Sequence, residues 1–249
     1  MLSGYYTIAS GILANQRNID TIGNNLVNIQ TPGYRGERVI NSSFEMELMT
    51  RRESTGNEVL GDGIGHVAAI VDESVTMFSG GLLQDTGRAL DVALNGDGFF
   101  NVAAADGTTY LTRSGSFDLD EEGYLLLPGY GRVLGENGEL QINRSDVEFL
   151  SDGTIISADG EELGRLLITA PQDYAGLIRN ANGMFTSEEQ LGAAQNVEVI
   201  SKRLELSNIN MNQEMTNLLD AQRAFQSCSS ALQIVDSLNR KAATQIASL

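Results

Sequence analysis

Residues 24–36, with the sequence NNLVNIQTPGYRG, decide how the first part of the chain folds. Amides lie beside an apolar stripe, which ends at Thr31-Pro32-Gly33: proline disfavours helical geometry in the residue before it, and glycine permits a turn. An ordinary surface helix carries charged residues on its wet face, because they solvate well and pair at i,i+4. Asn and Gln can instead hydrogen-bond across a helix interface without the desolvation cost of a charge. The stretch therefore predicts the end of a helix whose polar faces can be buried, although solvated faces remain an alternative.

Both terminal segments repeat apolar residues at alternating spacings of three and four, which is typical of a helix seam. The first seam consists of Tyr5, Ile8, Ile12, Asn15, Ile19, Ile22, Leu26 and Ile29. The last consists of Val197, Ile200, Leu204, Ser207, Met211, Glu214, Leu218, Ala221, Phe225, Cys228, Leu232, Val235, Asn239, Ala242, Ile246 and Leu249. These seams predict an N-terminal helix over 1–34 and a C-terminal helix over 197–249. Burial of the first seam alone does not offset the entropy of ordering it, so we expect the helices to pair with each other and with other copies of the chain.

The middle of the chain has a different pattern, in which short apolar runs are separated by Asn-Gly and Asp-Gly turn dipeptides such as Asn95-Gly96 and Asp152-Gly153. Such spacing is typical of an all-β barrel or sandwich, which we place at residues 76–190. Residues 35–75 have little pattern and are predicted to be a connector. The predicted fold class is α+β, with the N- and C-terminal helices forming a discontinuous coiled-coil domain around a central all-β domain.

The charge is unevenly distributed. The chain of 249 residues has a net charge of −17, yet residues 1–34 carry one base and one acid, and residues 197–249 carry five of each. The middle therefore holds the whole excess, which should repel nucleic acid and anionic lipid. We expect neutral ends that associate and an acidic middle that faces water. No stretch reaches the roughly 20 apolar residues that a membrane span needs, so no direct membrane insertion is predicted.

No constellation of residues indicates catalysis. The chain has one His, one Cys and no Trp, and neither His66 nor Cys228 has a companion motif. The segment DLDEEG at 118–123 is similar to the first half of a calcium loop, but Gly129 stands where the bidentate Glu is needed. The sequence predicts no enzyme activity, cofactor or metal site. Two alternatives stay open: a secreted β-domain module that binds carbohydrate or calcium and has coiled-coil oligomerisation arms, and, more remotely, an enzyme that uses His66.

Three stretches resemble bacterial flagellar rod and hook proteins: NIDTIGNNLVNIQTPGYRG at 18–36, SGGLLQDTGRALDVALNGDGFF at 79–100 and LELSNINMNQEMTNLLDAQRAFQ at 204–226. The resemblance implies a structural subunit of the basal-body rod, whose helices line a hollow helical tube that transmits torque and whose β domain lies outside. It also implies export by the flagellar export apparatus without a cleaved signal peptide. The implied partners are other copies of the chain and neighbouring rod and hook subunits.

The resemblance also implies assembly residues. Carried over by position, the N-terminal motif consists of Asn24, Asn25, Leu26, Asn28, Thr31, Gly33 and Tyr34, and the C-terminal motif of Ser207, Asn208, Asn210, Glu214, Leu218, Gln222, Arg223 and Phe225. The predicted interface adds the seam residues Ile12, Ile19, Ile22, Ile29, Met211, Leu232 and Val235. Val27 stands where a smaller Ala is common in the family. Proximal and distal rod types both fit, and the absence of an obvious insertion after residue 36 favours the proximal type.

Overall fold

The structure, a computed structural model, describes residues 2–43, 47–52, 59–65, 69–105, 107–180, 182–188, 191–194 and 197–247. The chain divides into two compact units. The helical unit consists of Met1–Val27, Glu37–Met77 and Asn210–Leu249, and the β unit consists of Asn28–Gly36 and Phe78–Ile209. Both units are discontinuous in sequence, so the chain passes between them four times.

Two long helices dominate the helical unit: α1 (Leu2–Val27) and α2 (Met211–Ala247). They contact each other and run in opposite directions, because Asn25 near the end of α1 meets Glu214 near the start of α2, while Gly11 lies against Cys228. The side-chain oxygen of Asn210 accepts hydrogen bonds from the backbone N–H groups of the first turn of α2 and caps it. Among the described residues, no helix is long and apolar enough to cross a membrane.

The helical unit also contains four strands: β1 (Glu37–Ser43), β2 (Glu47–Arg52), β3 (Val59–Gly65) and β4 (Ala69–Thr76). β1 pairs with β4 and β2 with β3, both antiparallel. The prediction of an unpatterned connector over 35–75 was therefore wrong. Backbone pairing forms these strands without the strict apolar alternation that would have indicated them. The preference for the proximal rod type stays a prediction.

The β unit contains the remaining strands. They are β5 (Leu83–Asp85), β6 (Val92–Asn95), β7 (Phe99–Ala104), β8 (Thr109–Thr112), β9 (Asp118–Leu119), β10 (Leu125–Leu127), β11 (Gly131–Gly135), β12 (Gly138–Glu139), β13 (Val147–Phe149), β14 (Thr154–Ser157), β15 (Glu162–Arg165), β16 (Ile168–Ala170), β17 (Leu177–Arg179), β18 (Phe185–Ser187), β19 (Gly192–Ala193), β20 (Glu198–Ser201) and β21 (Arg203–Glu205). The largest sheet runs β17-β18-β8-β7-β11-β10-β9, and β13-β14-β15 form a second one. The hydrophobic core of the β unit includes five fully buried residues: Phe100, Phe117, Leu125, Val133 and Ile155.

The predicted C-terminal helix began too early, because its first residues form two strands. Residues 198–205 were expected to be helical, but β20 pairs with β6 and β21 pairs with β5. Lys202, between these strands, has a φ of 60°, a left-handed conformation that ends any regular helix. Short apolar runs cannot be assigned to helix or strand by spacing alone. The helix therefore begins at Met211, and the β unit extends past the predicted end at 190 to Ile209 and also includes Asn28–Gly36.

The predicted class is confirmed at the coarser level: the fold is α+β, with N- and C-terminal helices flanking a central β-rich region. The N-terminal helix is shorter than predicted, because it ends at Val27 and is followed by turns up to Gly33. Pairing of the helices as a coiled coil stays a prediction.

Candidate assembly interface

Most of the predicted seam lies on the faces that α1 and α2 turn toward the rest of the helical unit. Glu214 and Ala221 are buried. The half-buried members are Ile12, Ile19, Ile22, Leu26, Leu218, Phe225, Leu232 and Val235. Met211 is exposed, and Ile29 lies beyond the end of α1. Much of the seam is therefore already covered within a single chain.

One of the amides in the opening stretch joins three elements of the helical unit. Asn25 is only 1% exposed, and its Nδ2 donates to the carbonyl of Glu37 at 2.8 Å and to Oε2 of Glu214 at 3.5 Å. Its Oδ1 accepts from the backbone N–H of Glu37 at 3.0 Å. The side chain thus pairs with β1 as a neighbouring strand would and also reaches α2. Asn25 positions the start of β1 against both helices, which explains why an amide was predicted to suit burial here.

Further exposed apolar residues on α2 are here named the apolar stripe, which consists of two groups. Met211, a member of the predicted seam, lies with Met215 and Leu219 in the first three turns, and Ile234 and Leu238 lie about four turns further along. All five are between 49% and 60% exposed, and the two groups point to different sides of the helix. On α1, Tyr6, Leu13 and Val27 are also exposed. The predicted interface included only Met211, although the spacing of four within each of the two groups was visible in the sequence. Of the other predicted α2 residues, Gln222 and Arg223 are exposed, as this outer face requires.

The rest of the N-terminal motif does not continue the helix, because residues 28–36 belong to the β unit. Asn24 lies on α1 and is exposed. Of the residues that follow, Thr31 is exposed, Asn28 and Ile29 are half-buried, and Gly33 and Tyr34 are buried. The predicted N-terminal interface is therefore split between two units, and its last residues are held inside the β unit.

A buried group of charges, here named the charge clasp, consists of Arg35, Arg113 and Glu205. Oε1 of Glu205 lies 2.7 Å from Nη1 of Arg35, and its Oε2 lies 3.5 Å from Nη1 of Arg113. All three side chains are at most 6% exposed. Burial lowers the pKa of Arg113, and the nearby Glu205 carboxylate opposes that shift. The clasp joins residues 35, 113 and 205, which are far apart in sequence.

Backbone groups bind to the same carboxylate residue. The N–H of Gly81 donates to Oε1 of Glu205 at 2.8 Å, and the N–H of Gly33 donates to its carbonyl oxygen at 2.7 Å. Arg35 also donates to the carbonyl of Ser79 at 2.9 Å. The segments that enter and leave the β unit therefore converge on Glu205, a residue that sequence reasoning did not single out.

The C-terminal motif strengthens this arrangement. Oδ1 of Asn208 accepts from the N–H of Gly36 at 2.8 Å, and its Nδ2 donates to the carbonyl of Ser79 at 3.1 Å. Arg179 donates to the carbonyl of Arg35 and stacks over the Tyr34 ring at 4.7 Å. Ser207 is half-buried beside this network. Tyr34 and Asn208 thus hold the β unit together, and Ser207 lies in the same unit rather than on a helix.

The described residues contain no group of His, Cys, Asp and Glu side chains arranged to hold a metal ion. His66, the candidate of the enzyme alternative, lies outside the described residues. In the calcium-like segment, Asp120 pairs with Arg132 at 2.9 Å and Asp118 lies 3.4 Å from Arg88. Arg132 also pairs with Glu122 and Glu139. These carboxylates therefore bind arginine, which favours a hairpin turn over a calcium loop.

Long neutral helices with an uncovered apolar stripe, joined to an acidic β unit, define a structural protein that associates rather than a catalyst. Three family descriptions match the chain: "Flagella basal body rod protein" over 6–35, "Flagellar hook protein FlgE/F/G D1 domain" over 93–187 and "Flagellar basal body rod FlgEFG protein C-terminal" over 200–246. The chain belongs to the flagellar basal-body rod protein family. The resemblance from sequence is confirmed, and the protein is structural and not an enzyme.

Several curated relatives are similar over nearly their whole length. The chain is 30% identical to the flagellar basal-body rod protein FlgG of Bacillus subtilis (strain 168), over 96% of this chain and 97% of the relative. It is 31% identical to FlgG of Borreliella burgdorferi, over 96% of each chain. It is 28% identical to the flagellar basal-body rod protein FlgF of Caulobacter vibrioides, over 93% of this chain and 92% of the relative. The relatives thus include more than one kind of rod protein.

Proposed function

We propose that the chain is a subunit of the flagellar basal-body rod that assembles through its terminal helices into a hollow helical tube, and that the tube transmits torque. The observation that carries the proposal is the exposed apolar stripe of α2. Monomeric proteins rarely leave a row of large apolar side chains uncovered without a binding purpose. The family names of the relatives place such proteins in the flagellar basal body, and we extend that location to this chain.

The size of the stripe indicates contacts with more than one neighbour. Complete burial of a large apolar side chain contributes about 1.5–3 kcal/mol, so burying the exposed half of five such residues contributes about 4–8 kcal/mol. Association costs an estimated 4–15 kcal/mol or more, so one such contact roughly breaks even. The exposed Tyr6, Leu13 and Val27 of α1 offer further area. Copies should therefore assemble when each has several neighbours, as in a tube wall.

The proposal revises the predicted interface. Residues that face the other helix shape the unit, whereas Met211, Gln222 and Arg223 are exposed and can contact other copies. Asn24 is exposed as well. The proposed partners are other copies, neighbouring rod and hook subunits and the flagellar export apparatus, with export that needs no cleaved signal peptide. Family membership favours this function over the carbohydrate- or calcium-binding module.

Introducing two positive charges into the apolar stripe tests the proposal. Leu219→Lys combined with Ile234→Lys should abolish assembly and swimming in a strain that lacks its own copy of the gene, because charges would then occupy the apolar contact. The full chain would be followed by sedimentation, electron microscopy and soft-agar motility. Circular dichroism should show unchanged helix content, since both side chains are exposed.

The matched control is Leu150→Lys combined with Ile178→Lys, which places the same two charges on an exposed leucine and an exposed isoleucine of the β unit. It should leave assembly unchanged. Wild-type assembly and swimming by the Leu219→Lys, Ile234→Lys variant would refute the proposed role of the helices.

A further inference from the structure

The charges on the two helices form no ion pair with other described residues. Among the residues that the structure describes, none of these forms an ion pair: Arg17, Asp20, Glu214, Asp220, Arg223, Asp236, Arg240 and Lys241. In the β unit, by contrast, most arginines pair with a carboxylate, namely Arg35, Arg88, Arg113, Arg132, Arg144 and Arg165. The helices therefore carry charges that the described part of the chain leaves without an ion-pair partner.

Acidic residues predominate at the start of α2 and basic residues at its end. Glu214 and Asp220 lie in the first three turns and are followed by Arg223, while Arg240 and Lys241 lie close to the end and are preceded by Asp236. Because a helix rises about 1.5 Å per residue, Asp220 and Arg240 are separated by roughly 30 Å. They belong to one helix and cannot meet within the same molecule. The two groups can therefore pair only between molecules.

The acidic group lines a groove. A cavity of about 500 Å³ lies between α1, β1 and α2, within the size range of pockets that accept small ligands. Its charged residues are Glu37, Glu214 and Asp220 against the single cation Arg38, and its walls carry amides such as Asn18. Glu214 is buried, and the described residues give its carboxylate only the Asn25 amide at 3.5 Å. The groove thus has an excess of negative charge and room for a long basic side chain.

The basic group protrudes beyond the helix pair. Asn25 lies opposite Glu214 and Gly11 opposite Cys228, so the start of α1 lies opposite about residue 237 of α2. The last ten or so residues of α2 extend past α1 and carry Arg240 and Lys241, both exposed. We propose that these two residues enter the acidic groove of a second copy, head to tail. The inference rests on the proposed function, and it names the contact that repeats along the assembly.

A head-to-tail contact between unlike surfaces does not close on itself, so it generates an extended assembly. A symmetric antiparallel pair of α2 helices would instead use both groups at once and stop at a dimer. Charge complementarity of this kind mainly sets specificity and register, while the apolar stripe provides the area. The contact therefore predicts assemblies larger than dimers that weaken as salt is added.

Charge reversal in the full chain tests the contact. The tail variant is Arg240→Glu with Lys241→Glu, and the groove variant is Asp220→Lys with Asn217→Lys. In low salt, each should raise the concentration at which assembly begins by about tenfold or more, because like charges are then juxtaposed. The chain that carries both variants should recover assembly to within about threefold of the wild type.

The control matched to the tail variant is Lys202→Glu with Arg203→Glu, which makes the same change of net charge as the tail variant at two exposed residues of the β unit. It should assemble as the wild type does. Wild-type assembly by the tail variant, or no recovery by the combined variant, would overturn the head-to-tail contact and leave the proposed function intact. A wild-type chain that stays monomeric or stops at a dimer at every concentration would refute the proposed function and the contact together.

Discussion

Glu205→Gln should destabilise the β unit strongly, because it removes the only carboxylate of the charge clasp. The substitution keeps the shape of the side chain and leaves two buried guanidinium groups, at 2.7 Å and 3.5 Å from the former carboxylate, without a counter-charge. Removing one partner of a buried ion pair typically costs about 3–5 kcal/mol. For a protein of this size, about 1 kcal/mol lowers the melting temperature by roughly 2–4 °C, so we expect a decrease of about 6–20 °C.

Thermal unfolding of the full chain, followed by circular dichroism in the strand region, measures the effect. The matched control is Glu122→Gln, which removes an exposed carboxylate from Arg132 and should cost less than about 1 kcal/mol. Equal melting temperatures for Glu205→Gln and Glu122→Gln would refute the reasoning, since they would mean that the clasp contributes no more than a surface pair. A decrease only in the helical signal would also contradict it, because the clasp lies in the β unit.

Two further predictions concern other parts of the β unit. Gly33→Ala should lower the free energy of unfolding by about 2–5 kcal/mol, because φ at Gly33 is +69° and the added Cβ would lie 2.3 Å from the Arg113 backbone. Gly87→Ala is the control: φ is also +69°, but the space around Gly87 is open, so the same unfolding assay should show a loss of only about 1–2 kcal/mol. Hydrogen bonds from the backbone and the hydroxyl of Thr154 lower the pKa of Asp152, so its stabilisation is present above the unfolded pKa of about 3.9 and is lost as pH falls through the lower folded value. Asp152→Asn should therefore be less stable than the wild type at pH 6 and equal to it in strong acid; a difference that persists in acid would contradict the assignment, and an NMR titration of the carboxyl group measures the pKa directly.

The sequence predicted the features that local patterns determine. Apolar residues at spacings of three and four identified α1 and most of α2, and turn dipeptides such as Asn95-Gly96 and Asp152-Gly153 marked the β unit. Absence of charge agrees with the burial of Asn25, whereas Asn24, Gln213 and Gln222 are exposed, as the alternative of solvated faces predicted. These predictions succeeded because helix periodicity and turn chemistry depend on neighbours in sequence.

Features that depend on distant partners were not predictable in the same way. β20 and β21 follow the helical spacing in sequence, but they pair with β6 and β5, more than 100 residues earlier. Glu205 likewise looks like any strand glutamate until Arg35 and Arg113 are brought to it by the fold. The same holds for the apolar stripe of α2, because only the position of α1 decides which apolar residues remain exposed.

The charge clasp also sets the order in which the β unit can close as the chain emerges from the ribosome. Arg35 appears early, but its counter-ion follows 170 residues later. At about 5–20 residues per second, the delay is roughly 9–34 s. During that time Glu205 has not yet been made, so burying Arg35 or Arg113 would leave a buried charge without its counter-ion. Strands β5 and β6 also still lack their partners β21 and β20. The β unit is therefore complete only when more than four-fifths of the chain has been made, so an unfinished chain cannot present it as a finished domain.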